Sequence, residues 1–171
     1  MSKSTKPTKK PGGALKPLGF AILIDSREQR PYKFVGHMTI KTGLRTGDYS
    51  IDGYEDLVSV ERKSLDDYYG CLAASRKRFE RELERLSLMP YPAIVVEATL
   101  TRLGRQFRYG NGKLSLIPPA VATGSFISWG WGKVLILPCQ GRKQGENWTV
   151  KLLSYAWKHL EADRKAKEKT Q

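Results

Sequence analysis

A chain of 171 residues, 40% of them hydrophobic, can bury one core and fits one domain better than two. Thirty Lys and Arg stand against seventeen Asp and Glu, a formal charge of +13. Such an excess draws polyanions, so nucleic acid is the leading partner class, ahead of a ribosomal-type role or a membrane surface. No apolar run nears the roughly 18 residues of a bilayer span, and no apolar stretch follows the lysines of Met1–Pro7, so neither a membrane anchor nor a secretory signal is expected. Cys71 and Cys139 make no disulfide framework and read as reduced thiols of an intracellular protein, in cytoplasm or nucleoid or in a eukaryotic nucleus. His37 and His159 share no zinc spacing with them, which leaves any metal to carboxylates and favours Mg2+ or Mn2+.

Residues 1–19 hold five lysines, three prolines and three glycines, and are expected to form a disordered basic arm. The run Phe20–Ile24 predicts a buried strand ending at Asp25. A second strand is expected over Met38–Leu44, where Met38, Ile40 and Thr42 alternate with polar neighbours. Gly47-Asp48 leads into Tyr49-Ser50-Ile51, Asp52-Gly53 is a two-residue turn signal, and Leu57–Arg62 predicts the returning strand of a hairpin or meander. From Leu65 the period lengthens: Leu65, Tyr69, Leu72, Arg76, Phe79, Leu83 and Leu86 predict one amphipathic helix, stopped by Pro90 and Pro92. Ala93–Glu97 reads as another short strand, Thr101–Gly112 as a polar loop, Pro118–Trp129 as a helix and Lys133–Leu137 as the last strand. The final helix carries Trp148, Leu152, Leu153, Ala156, Trp157 and Leu160, and residues 163–171 read as a charged tail. The domain is thus expected over 20–162, with an α/β or α+β sheet flanked by helices.

Glu61 and Lys63 lie two apart on a strand and share a face, while Val58 and Val60 face the core. Asp48 begins the neighbouring strand, and a hairpin across the Asp52-Gly53 turn can bring its carboxylate to Glu61. Two carboxylates form a hard-metal site, and a lysine beside them can orient a nucleophile or stabilise charge on a phosphate. Taken alone, Glu61-Arg62-Lys63 also reads as a charged strand end at the surface.

The wider constellation is sharper. Asp25-Ser26-Arg27-Glu28, Gly47-Asp48, then Glu61-Arg62-Lys63 with three residues and Asp67 resembles the XPF-type structure-specific nuclease family, whose signature runs GD, a gap, ERK, three residues, D. Arg76–Glu80 resembles the arginine-containing stretch of the following helix, and the likeness extends over roughly 20–160. It implies a restriction-endonuclease-like core with a central mixed sheet, a divalent metal (Mg2+ or Mn2+), and hydrolysis of branched, flapped or forked DNA in repair, recombination or replication. Asp48 and Glu61 would hold the metal with the Arg62 backbone carbonyl, Lys63 would assist the nucleophile, and Asp25, Glu28, Arg62 and Asp67 would complete the catalytic set. Ser64-Leu65-Asp66-Asp67 equally fits a capping box, with Asp67 reaching back to the Ser64 N–H.

For DNA contact the candidates are Arg27, Arg76, Arg78, Arg102, Arg105, Arg108 and Lys113. Arg76 lies on the apolar stripe and is expected to point at the site; Arg78 and Glu82 also fit a solvated i,i+4 pair. Phe107, Tyr109, Trp129 and Trp131 are candidates for stacking on unpaired bases, with core packing as the alternative. The tryptophans of the last helix are expected to pack on the sheet or in a homodimer. Many relatives carry a tandem helix-hairpin-helix module, for which no room is expected after Leu160. Substrate shape is then left to the nuclease domain, its basic arms or another protein. Two other readings stand beside this one, a non-catalytic DNA-binding module and a sequence-specific restriction or homing nuclease.

Overall fold

A computed structural model describes residues 18–170; the expected basic arm lies outside them but for its last two residues. The elements run β1 (Ile22–Asp25), β2 (Thr39–Thr42), β3 (Tyr49–Ile51), β4 (Val58–Lys63), α1 (Leu65–Leu72), α2 (Arg76–Ser87), β5 (Tyr91–Val96), α3 (Leu100–Leu103), α4 (Pro119–Gly130), β6 (Leu135–Pro138) and α5 (Gly141–Glu168). The six strands form one mixed sheet in the order β2-β1-β3-β4-β5-β6. β3 runs antiparallel to both β1 and β4, while β1–β2, β4–β5 and β5–β6 pair in parallel. The expected α/β sheet with flanking helices is what forms.

Side-chain alternation splits the interior in two. Ile22, Ile24, Tyr49, Ile51, Val58, Val60, Ala93 and Val95 face α5, which lays Leu153 and Ala156 on them. Ile94 and Val96 face the other way, onto Leu72, Phe79, Leu83 and Trp129 of α1, α2 and α4. Because β1 and β4 point the same way and β3 the opposite way, one end of the sheet gathers the C-terminus of β1, the N-terminus of β3 and the C-termini of β4 and β5. Open α/β sheets bind ligands at that end.

Four expectations change. The polar loop expected from Thr101 begins within α3, which the Thr99 hydroxyl caps. The stripe from Leu65 to Leu86 is not one helix but two, since the N–H groups of both Ala73 and Ser75 turn back to the Gly70 carbonyl and Ala73 leaves helical geometry at φ −112 and ψ −115. The β3–β4 link is longer than a two-residue turn, spanning residues 52–57, with Gly53 at φ +79 and Tyr54 donating back to Ile51. The charged tail is helical to Glu168, where Arg164 pairs with both Glu161 and Glu168.

Candidate active site

The Tyr49–Val60 pairing, with the Asp48 amide donating to the Val60 carbonyl, sets Asp48 beside the end of β4 that carries Glu61, and both carboxylates line one cleft in spite of the long connection. Asp48 is fixed on three sides. Its amide donates to the Val60 carbonyl (3.0 Å), its carbonyl accepts from the Asp25 amide (2.8 Å), and its carboxylate accepts from the Arg62 amide (2.7 Å). Gly47, just before it, sits at φ +72, where a Cβ would come 2.1 Å from the Ser59 hydroxyl. Only glycine fits that approach and that dihedral together.

Glu61 is buried, Lys63 projects beside it, and the Lys63 ammonium donates to the Glu61 carboxylate. Glu82 of α2 reaches the same ammonium at 3.5 Å, and the Phe79 ring lies 5.0 Å from it. Burial pushes the Asp48 carboxyl up to about 7, only partly countered by the Arg62 amide. Burial likewise raises Glu61 well above the carboxylate range; Lys63 opposes the shift, and Asp48 and Glu82 add to it. Burial alone would lower Lys63, but Glu61 and Glu82 outweigh it and raise its pKa. The lysine stays charged.

On the opposite face of β4 the Arg62 guanidinium lies between Glu28 (3.4 Å) and Glu97 (3.3 Å), above the Tyr32 ring. Glu28 also accepts from the Arg30 amide at 2.6 Å. Asp25 is committed differently: one carboxylate oxygen takes the Arg27 amide and Nε, both at 2.8 Å, and the other takes Arg27 Nη2 (2.9 Å) and the Leu44 amide (2.7 Å). Burial would raise its pKa, but these donors outweigh it and hold the carboxyl below its ordinary range. Asp67 lies at the first turn of α1. Its amide donates to the Ser64 hydroxyl (3.1 Å), which in turn donates to the Asp67 carboxylate (2.6 Å). A cap therefore forms, although the carboxylate reaches the Ser64 hydroxyl rather than its N–H.

These groups line a cleft of about 780 Å³ that brings together Asp25, Arg27, Glu28, Asp48, Glu61, Arg62, Lys63, Asp67 and Arg78. Arg76 is absent from it. The helix break rotates Arg76 outward, where it pairs with Glu80 at 2.8 Å and lies 5.8 Å from Trp129. Arg78 takes the inward position instead; it reaches the Ser75 hydroxyl at 3.4 Å, and Glu82, its expected partner, turns to Lys63. Arg102, Arg105, Arg108 and Lys113 are exposed but outside the cleft. Their segment approaches its rim at Gly110, where a Cβ would lie 3.9 Å from the Asp66 carboxylate. Phe107 and Trp129 are core, packed on Tyr69 and Phe79, while Trp131 is 80% exposed.

Sequence reasoning missed Glu82, Glu97, Arg45, Arg85 and Arg142 as cleft residues. Glu97 had a signal: it directly follows the buried strand whose Val96 pairs with Lys63. Among the described residues, no group of three or more His, Cys, Asp or Glu side chains is arranged to hold a metal ion.

The mixed sheet, its flanking helices and the acids and lysine at the carboxyl ends of its strands are those of a restriction-endonuclease-like α/β fold. A family model described as the ERCC4 domain matches residues 24–152, and the chain belongs to that family. Membership makes it a nuclease domain that works on DNA. Among solved structures it is similar to XPF from Aeropyrum pernix, with a TM-score of 0.61 and 19% identity over 85% of this chain and 69% of that one. At that identity the likeness is one of fold. No curated protein sequence matches the chain significantly.

Proposed function

We propose that this chain is a divalent-metal-dependent endonuclease that nicks DNA where duplex meets single strand, in repair, recombination or replication, with residues 20–162 as its nuclease domain. The observation that carries the reading is the convergence of Asp48 and Glu61 in one cleft, beside a half-buried and charged Lys63. The donor set fits Mg2+ or Mn2+. Two neighbouring carboxylates held above their ordinary pKa, chiefly by burial, with Glu28 adding to the shift of Asp48 and Asp48 to that of Glu61, are what a hard cation relieves. No third carboxylate among the described residues is arranged to join these two, so the remaining ligands would be the Arg62 carbonyl, water and a phosphate oxygen, in keeping with the habit of Mg2+. When bound, the ion would acidify a water and neutralise charge growing on the phosphate.

The chain's own residues supply the rest. Lys63, shared between Glu61 and Glu82, aims a fixed positive charge at the attacking oxygen or the phosphate. Arg27 and Arg78 stand at the rim as phosphate contacts, with Arg102, Arg105, Arg108 and Lys113 as an outlying basic segment. Arg62 acts through position: its amide orients Asp48 while Glu28 and Glu97 hold its side chain. Asp25 holds the loop before Asp48, and Asp67 caps α1 facing the cleft. No helix among the described residues is long and apolar enough to cross a membrane.

A homodimer belongs to the same proposal, but not through the last helix's tryptophans, which pack partly buried against the sheet. Among the exposed apolar groups, Trp131, Leu135 and Tyr155 lie beside an apolar groove between α5 and the β5–β6 edge. Sedimentation of wild type and Tyr155→Glu tests it; a monomer at every concentration removes it.

The nuclease reading is tested with labelled duplex, flap, fork, bubble and four-way junction DNA, in Mg2+ and in Mn2+, using wild type and Asp48→Ala. Nicking of a branched form by wild type alone is expected. Cleavage that survives Asp48→Ala, or none by wild type on any form, would overturn it.

A further inference from the structure

A smaller groove of about 140 Å³ opens off the cleft. The two meet at Arg45, Thr46 and Arg85, which line both. Beyond that junction its lining is apolar at Leu88 and Met89 and acidic at Glu55 and Asp56. The backbone under Arg45 is anchored: Asp25 and Arg27 hold the Leu44 amide and carbonyl, and the Ser59 hydroxyl donates to the Thr46 carbonyl at 3.0 Å. Arg45 therefore stands at a fixed place three residues before Asp48. Arg45 and Arg85 are exposed, and neither makes an ion pair among the described residues. Leu88 is 84% exposed, an apolar side chain with nothing laid over it.

Each part of the lining selects for a different part of one ligand. Two unpaired guanidinium groups at the mouth suit a phosphodiester, which they can grip with charge-assisted hydrogen bonds. Leu88 and Met89 suit the flat face of a base. The carboxylates of Glu55 and Asp56 accept hydrogen bonds from ring amino groups and repel a further phosphate, so a strand cannot run on through the groove. The space admits one ring system and not a base pair. We infer that this groove seats the base of one unpaired nucleotide beside the scissile bond, with its phosphate between Arg45 and Arg85. The inference rests on the nuclease reading for where the cut falls; the binding it describes does not require cleavage. It gives this domain a means of sensing single-stranded DNA through its own surface. Bases carrying an amino group are preferred over thymine.

The test uses the full chain in a chelator, with forked oligonucleotides bearing an abasic site at each of the first three unpaired positions in turn. Binding is followed by fluorescence anisotropy across a range of salt. One abasic position is expected to weaken binding by about fivefold to tenfold in wild type, at the low end of base-stacking contributions, and to have no effect in Leu88→Ala. The Arg45→Ala/Arg85→Ala double variant should lower the log–log salt slope by about 0.7 to 0.9, the share of the one phosphate they hold, and Arg45→Lys/Arg85→Lys should restore it. Equal binding at every abasic position, or an unchanged slope in the alanine pair, overturns the groove. Cleavage of the same forks in Mg2+ separates the two readings. If wild type never cuts but the abasic pattern and slope hold, the nuclease reading falls and the groove stands. If cutting is equal on all forks and in all variants, the groove falls and the nuclease reading stands.

Discussion

Asp25→Asn separates a structural acid from a chemical one. Asp25 accepts four hydrogen bonds between 2.7 and 2.9 Å, two on each oxygen. Asparagine keeps one acceptor and turns the other into a donor. In one rotamer its NH2 faces the Leu44 amide and Arg27 Nη2; flipped, it faces the Arg27 amide and Nε. Either way a backbone N–H loses its partner. For the buried Leu44 amide that costs about 1–3 kcal/mol. The Arg27 side chain is 71% exposed, so losing the charge there adds at most about 1 kcal/mol. A total of about 1–4 kcal/mol lowers the Tm by roughly 2–16 °C for a chain of this size. The sign with pH follows from the depressed carboxyl. Its contribution is present above its ordinary value of 3.8 and is lost as pH falls through the lower folded value, so the variant and wild type converge in acid. Calorimetry at pH 7 and near pH 3, beside a cleavage assay, measures both. A variant that melts like wild type at pH 7 yet cannot cut DNA would refute the clamp and make Asp25 part of the chemistry.

Asp48→Asn should stabilise the metal-free protein at pH 8 by of the order of 2 kcal/mol and make no difference near pH 4. Its carboxyl, raised to about 7, favours folding while protonated and loses that contribution as pH rises through 7; denaturation in chelator showing no gain at pH 8 contradicts this. By the same competition, Mg2+ affinity measured without DNA should climb from pH 6 to 8 in wild type. Glu82→Gln removes one of the two carboxylates on Lys63. It is expected to cost about 1 kcal/mol in stability, lower the Glu61 pKa in an NMR titration, and cut kcat about tenfold with DNA affinity unchanged; an unaltered kcat and Glu61 titration would count against it. Gly47→Ala combines a left-handed dihedral with a Cβ 2.1 Å from the Ser59 hydroxyl, so a loss of about 2–4 kcal/mol is expected. A melting point within about a degree of wild type would show that the turn relaxes freely.

Much of this site was legible because it sits on strands. A period of two fixes which side chains share a face, so Glu61 and Lys63 against Val58 and Val60 could be placed without coordinates. Asp48 could be set near Glu61 for the same reason, although the turn that joins their strands is longer than Asp52-Gly53 implies. The helical side was less legible. The apolar stripe steps from Leu72 to Arg76 at ordinary spacing, and Ala73-Ala74-Ser75 contains no glycine or proline, so nothing local marks the break. That break exchanges Arg78 for Arg76 and sends Glu82 to Lys63 rather than to Arg78. Glu97 escaped notice because its role depends on which strand lies beside β4, a tertiary fact. Asp67, readable in sequence as a helix cap or a catalytic acid, forms the cap and also lines the cleft.

Arg62 has a consequence for how the cleft meets a polyanion. Its guanidinium lies between two acids, as the Lys63 ammonium does on the other side of the strand, and Arg27 closes over Asp25. The lining as a whole sets Asp25, Glu28, Asp48, Glu61, Asp66, Asp67, Glu82 and Glu97 against Arg27, Arg30, Arg45, Arg62, Lys63, Arg78, Arg85 and Arg142, eight of each sign. Counted with every group ionised, this hollow is a neutral checkerboard inside a chain of charge +13, although the raised carboxyls of Asp48 and Glu61 leave it fewer negative charges before a cation enters. The excess that draws DNA lies elsewhere on the surface, so a strand can be captured without its backbone being pulled onto the acids. One divalent ion entering would tip the checkerboard by two charges, enough to turn an indifferent hollow into an anion trap. Cation loading and phosphate entry would then be a single coupled event, each raising the occupancy of the other.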